Sequence, residues 1–284
     1  MKFKYLSYIL PLAAISMSLA SCSNISEDDR YIYVEPANVA KRVLIEDFTG
    51  QRCINCPNAA LTIEQLQEDY GADNVIAVGI YSGPFGKTPL GVPYSLTTDT
   101  GDNYFDYWGV QDQPSAMIDR HGVVSTYQTW STLVRDAIQQ EASLILDASC
   151  TYDNDSRTAS IQVNASGVND IDGKIQVWLI EDSITDVQLM PDGKPNQQYV
   201  HNHVFRTTVN GLWGDDFSIT TGEEKELAYQ TTISEDWKAE DMSAVIFVYN
   251  TSGVLQTVKA KIIPTNEGTE NNNTDKNNII KITK

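Results

Sequence analysis

The rhythm of apolar and polar residues changes several times along this chain. Tyr5 to Ala20 is almost wholly apolar behind Lys2 and Lys4, is broken by Pro11, and is too short for a comfortable membrane span. A polar, acidic stretch follows. Val43-Leu44-Ile45-Glu46-Asp47-Phe48 is then a short apolar run ending at Gly50, the pattern of a buried strand. Pro57 suits a first helical position, where its missing N–H is not needed. Ala60, Ile63, Leu66, Gln67 and Tyr70 recur at helical spacing and Gly71 stops them. Val75 to Tyr81 is a second apolar run rich in β-branched residues. Strand–helix–strand in this order implies a parallel pair with a right-handed crossover.

Residues 82–108, with several Gly and Pro and a late aromatic group (Tyr104, Phe105, Tyr107, Trp108), read as an insertion carrying a partly helical, substrate-facing surface. Ser115 to Asp119 predicts a strand, His121-Gly122 a turn, Val123-Val124 its return, and Thr129 to Glu141 a helix. From Ala142 the texture changes to short alternating runs: Leu144–Tyr152, Thr158–Ala165, Lys174–Glu181, Tyr199–Val209, Glu226–Thr232, Ala244–Tyr249 and Val254–Ile262. Gly, Asn and Asp clusters divide them, as in an Ig-like antiparallel β-sandwich. The expected order is therefore an α/β domain over 42–141 and an all-β sandwich over 142–264. A polar, Asn-rich tail follows over 265–284.

Charge and chain ends narrow the function classes. The 284 residues carry 20 Lys and Arg against 38 Asp and Glu, a formal charge of −18. So acidic a surface repels phosphate backbones, which argues against nucleic-acid partners. The apolar start ends in Leu19-Ala20-Ser21-Cys22, which resembles the bacterial lipobox. That resemblance implies a signal peptide over 1–21, lipid on Cys22, and a tether over 22–41 holding a soluble domain at a membrane surface. The plainer alternative is an ordinary signal peptide with Cys22 incidental. Ser26-Glu27-Asp28-Asp29 reads as solvated tether, or by a short resemblance as the acidic export signal of surface-exposed lipoproteins.

Outside the cytoplasm the remaining cysteines can be oxidised. Cys53-Ile54-Asn55-Cys56 follows a strand and opens a helix, the context a redox pair requires. Amide groups and dipole at the helix start favour the thiolate of Cys53, and Arg52 adds positive charge. Cys53 is the exposed candidate nucleophile and Cys56, one turn on, the resolving thiol. Cys150, left over, reads as a small buried hydrophobe.

At this point the chain resembles thioredoxin. Val43 to Phe48 leads to Cys53 with that family's strand-to-motif spacing, and Gly109-Val110-Gln111-Asp112-Gln113-Pro114-Ser115 looks like its cis-proline segment. The resemblance implies that Asp47 is a buried proton carrier for Cys56, that Pro114 is cis beside the disulfide, and that Gln113-Pro114 forms a substrate-docking edge. Arg52 is a further candidate substrate contact by its charge beside Cys53. Departures are Arg52 in place of the usual tryptophan, Pro57 where lysine is common, and Ile54-Asn55 between the cysteines. Two further readings stay open: a structural disulfide on a surface binding or adhesion protein, and a metal site. The metal site needs two more ligands, with Cys150 and 3 His on offer. No cofactor is implied.

His201-Asn202-His203-Val204-Phe205-Arg206 and Gly211-Leu212-Trp213-Gly214 are the most distinctive text of the second half. Two histidines two apart share a strand face and could ligate a metal, though a structural role is the simpler reading. With the amino-terminal half, this segment resembles a family of Bacteroidetes outer-membrane lipoproteins named after a protein of twenty-eight kilodaltons. It implies a thioredoxin-like first domain and a β-sandwich second domain at the outer membrane, facing the periplasm or the exterior. The redox reading of the cysteine pair implies disulfide-containing or thiol envelope proteins as partners.

Overall fold

The computed structural model describes residues 40–88, 91 and 94–264. The expected signal segment, Cys22, most of the expected tether and the tail lie outside the described residues.

The first half builds as its pattern dictates. β1 (Val43–Thr49) is buried along its whole length. α1 (Cys56–Tyr70) carries Pro57 in its first turn and ends at Gly71 (φ 92°), whose amide donates to Gln67. β2 (Val75–Tyr81) runs parallel to β1, from Val43 opposite Val75 to Thr49 opposite Tyr81. In the insertion, α2 (Asp99–Tyr107) starts at Thr98, whose hydroxyl accepts the Gly101 amide at 2.9 Å. β3 (Ser115–Ile118) pairs antiparallel with β1 and with β4 (Val123–Val124), and α3 (Trp130–Ile138) follows.

The second half is all strand: β5 (Leu144–Asp153), β6 (Thr158–Gly167), β7 (Ile171–Glu181), β8 (Ile184–Leu189), β9 (Pro195–His201), β10 (Val204–Thr208), β11 (Asp215–Ile219), β12 (Glu224–Thr232), β13 (Met242–Asn250) and β14 (Gly253–Lys261). The run expected over 199–209 is two strands, because the chain turns at His203 (φ 57°). β8 and β11 are short, and polar residues interrupt their apolar positions, so neither stands out along the chain.

The molecule is mostly β, with three α-helices among the described residues. A mixed nine-stranded sheet runs β14-β13-β7-β10-β2-β1-β3-β4, with β11 added beside β7. β10 joins the halves: it pairs antiparallel with β7 and, through Val204 opposite Gly79, parallel with β2. Smaller antiparallel sheets are β12-β6-β5 and the β8–β9 hairpin.

Burial is divided among three main cores. α1 and α3 cover one face of β1, β2 and β3 around Ile45, Ile63, Leu66, Ala77 and Trp130. The three-stranded sheet covers the β7–β13–β14 region on a second core, which includes Cys150, Ile161, Val177 and Ile246. The third holds Leu44, Phe48, Ile80, Tyr104, Trp178, Phe205 and Phe247. The sheet curls so that its ends approach, and Val254 donates to the Asp119 carbonyl at 2.8 Å.

Candidate functional site

The strongest chemistry sits where β1 gives way to α1. Gly50 is tight against the backbone of the 84–86 turn, where an added Cβ would lie 2.5 Å from the Phe85 carbonyl carbon. Glycine alone therefore lets the chain enter the loop. Cys53 N–H donates to Gly50 O at 3.0 Å and Cys56 N–H to Cys53 O at 3.3 Å. The two sulfurs are joined in a disulfide with the Cα atoms 5.3 Å apart. Cys56 is the first residue of α1, so the bond lies at the helix amino end.

The expectation of an exposed Cys53 is not met: Cys53 is 2% and Cys56 3% exposed. The cover is the β8–β9 hairpin. Gln188 Nε2 donates to Cys53 O at 3.0 Å, to Gly50 O at 3.3 Å and to Leu189 O at 3.2 Å. Leu189 N–H donates to Gln51 O at 2.8 Å, and Gln51 Nε2 to Val187 O at 2.9 Å. Only the intervening Ile54 (43%) and Asn55 reach solvent.

Behind the disulfide is a cavity of about 50 Å³, lined by Cys56, Asp47, Glu64, Tyr81, Gln188 and His201 among others. That volume holds a few waters. Asp47 is buried and its Oδ1 has no partner; burial raises its pKa to about 7. His201 Nδ1 lies 2.7 Å from the Tyr81 hydroxyl, while its Nε2 is unpartnered. Burial lowers the pKa of His201 to about 4, so it is neutral at physiological pH. The same effect pushes Tyr81 well above its ordinary value. His203 also lines this cavity, its Nε2 3.2 Å from Gln67 Oε1 and its Nδ1 3.1 Å from Asp182. The ring nitrogens of the two histidines thus have different neighbours, and no group of three or more His, Cys, Asp and Glu able to hold a metal occurs among the described residues.

Of the other sequence candidates, Gln113 is buried and braces the site. Its Nε2 donates to Thr49 O at 2.6 Å and Ser82 O at 3.0 Å, and its Oε1 accepts from Phe85 N–H at 3.3 Å. The side chain is consumed internally. The Gln113–Pro114 peptide is cis. Arg52 is half-buried, donating from Nη1 to Lys87 O at 3.0 Å and from its amide to Phe85 O. Cys150 is buried in the second core, which lifts its pKa to about 11. Sequence reasoning missed Gln188, Gln51 and Tyr81. His201 carried a signal only as a metal candidate, and Gln188 carried none.

The model of the outer membrane protein Omp28 family matches residues 101–266, more than half of the chain. The chain belongs to the Omp28 family. No helix among the described residues is long and apolar enough to cross a membrane. The fold is similar to HBP35 of Porphyromonas gingivalis, with a TM-score of 0.62 at 12% identity over 78% of this chain and 76% of that one. A protein of Agrobacterium tumefaciens matches with a TM-score of 0.50 at 16% identity, over 80% of this chain and 96% of that one. A domain of the outer membrane lipoprotein Omp28 from Porphyromonas gingivalis is 27% identical over 43% of this chain and 88% of that one, with a TM-score of 0.32. No curated protein matches in sequence.

Proposed function

We propose that this Omp28-family protein is a lipid-anchored outer-membrane protein whose Cys53–Cys56 pair exchanges disulfides with envelope proteins. Cys22, in its lipobox-like context, supplies the anchor. The strand–helix–strand around the pair, with Pro114 on the neighbouring β3 side, supports a thioredoxin-like reading of residues 42–141.

One observation carries the reading. Asp47 is a fully buried carboxyl with an unpartnered oxygen, poised to titrate at about 7, on the cavity that Cys56 lines. A scaffolding disulfide needs no such group, and an uncompensated buried carboxyl is destabilising. A resolving thiol does need one. In the reduced protein the Cys53 thiolate attacks a substrate disulfide, forming a mixed disulfide and releasing one substrate thiolate. Asp47 takes the proton of Cys56. The Cys56 thiolate then displaces the second substrate thiolate and closes the protein disulfide. One protein dithiol is oxidised and one substrate disulfide reduced.

The second reading, a structural disulfide on a surface binding protein, is favoured by the near-complete burial of both cysteines. Reduction of a dye-labelled disulfide peptide separates the two. Exchange by the wild-type chain, abolished in Cys53→Ser, supports the redox reading; equal rates in both contradict it.

A further inference from the structure

A second built site lies away from the disulfide, where the curled sheet opens beside α2. It is a groove of about 660 Å³ with Tyr107, Trp108, Trp213 and Tyr249 in its wall. Tyr107 and Trp213 pack with ring centroids 4.2 Å apart, and Tyr107 is 65% exposed. Beneath them is Arg120, 8% exposed, its guanidinium 4.2 Å from the Tyr249 ring centroid and held by Glu46 at 3.0 Å. Asp119 (φ 50°) and Arg120 (φ 61°) both adopt the left-handed region, a conformation unfavourable for residues with a Cβ. That backbone sets the guanidinium under the aromatic wall.

Two donors in this groove are buried without an acceptor: Arg120 Nη1 and Trp108 Nε1. Unmet buried donors are destabilising, so a bound group that supplies acceptors is worth more here than elsewhere. Carboxylates also line the groove, from Asp172 and from Asp216, which pairs with Lys174 at 2.7 Å.

We propose that this groove binds a saccharide. A pyranose ring offers an apolar C–H face for the Tyr107–Trp213 surface. Its hydroxyls donate to Asp172 and Asp216, and they accept from Arg120 Nη1 and Trp108 Nε1 once the ligand displaces the aromatic side chains that cover these two donors. A simple anion fits poorly, because Glu46 already neutralises Arg120. A purely apolar ligand leaves both donors unmet. A peptide offers carbonyl acceptors but, in a proline-rich segment, few donors for the carboxylates. The volume lies within the 300 to 1,000 Å³ typical of small-ligand sites, as an order-of-magnitude guide.

Tryptophan fluorescence of the full chain, titrated with cellotetraose, mannotetraose and xylotetraose, tests this. The expected result is saturable quenching by at least one of them, weakened about tenfold in Tyr107→Ala. Because Tyr107 is exposed, that variant keeps the fold, which its melting curve checks; Asp172→Asn gives an independent loss. No response to any of the three, or equal affinity in both variants and wild type, overturns the proposal. So does saturable binding of a proline-rich decapeptide with none by the saccharides.

Discussion

The side-chain amide of Gln188 donates to the main-chain carbonyl of Cys53 at 3.0 Å. The two residues are far apart in sequence, yet this bond and its neighbours close the β8–β9 hairpin over the disulfide. Access to the sulfurs is thereby tied to the opening of a hairpin. Gln188→Ala removes two hydrogen bonds that close it, to Gly50 O and Cys53 O, each worth on the order of 1 kcal/mol. Reduction by dithiothreitol, followed as thiols released, is expected to speed up about tenfold. An unchanged rate removes the hairpin from any gating role.

Asp47 gives a signed pH dependence. Its folded pKa of about 7 exceeds its ordinary 3.8. Its contribution is thus fully present below that ordinary value and is lost as pH rises through 7. Asp47→Asn cannot ionise. It is expected to melt at least ~4 °C above wild type at pH 8 and to close that gap towards pH 5. Its exchange rate falls and loses any step near neutral pH. Parallel melting curves at both pH values contradict the assignment.

His201 acts in the opposite direction. Its folded pKa of about 4 is below its ordinary 6.5, so its contribution is present above 6.5 and lost as pH falls through 4. His201→Gln, which keeps a polar group near the Tyr81 hydroxyl, is expected to flatten the acid limb of a stability-against-pH curve. An acid limb identical to wild type shows that other groups set it.

Much of the first half was legible in the chain. Pro57 and Gly71 bracket α1, the apolar runs at 43 and 75 are β1 and β2, and Asp47 and Cys56 do line one cavity. The cover over the disulfide was not legible, because Gln188 is a polar residue in a polar segment whose partners lie across the fold. Nor was the sharing of one sheet between the halves. Periodicity reports which face of a strand is buried, not which strand lies beside it. The split at His203 stayed hidden for a related reason: its φ of 57° belongs to a residue type that does not announce a turn.

The Glu46–Arg120 pair yields a coupling prediction. Both side chains are buried, and removing one partner leaves an uncompensated charge. Glu46→Gln is expected to lose about 3 kcal/mol in chemical denaturation. Adding Arg120→Met should cost less than the two single losses combined. Strict additivity means the ions do not sense each other.

The reduction potential of Cys53–Cys56 in the wild-type chain, set against a glutathione or dithiothreitol couple, tests the central claim most directly. An exchanging pair should equilibrate at a potential clearly above about −300 mV, the range below which structural disulfides fall. A lower value, or a bond that remains closed in excess dithiol until the protein unfolds, would identify a scaffold and contradict the account.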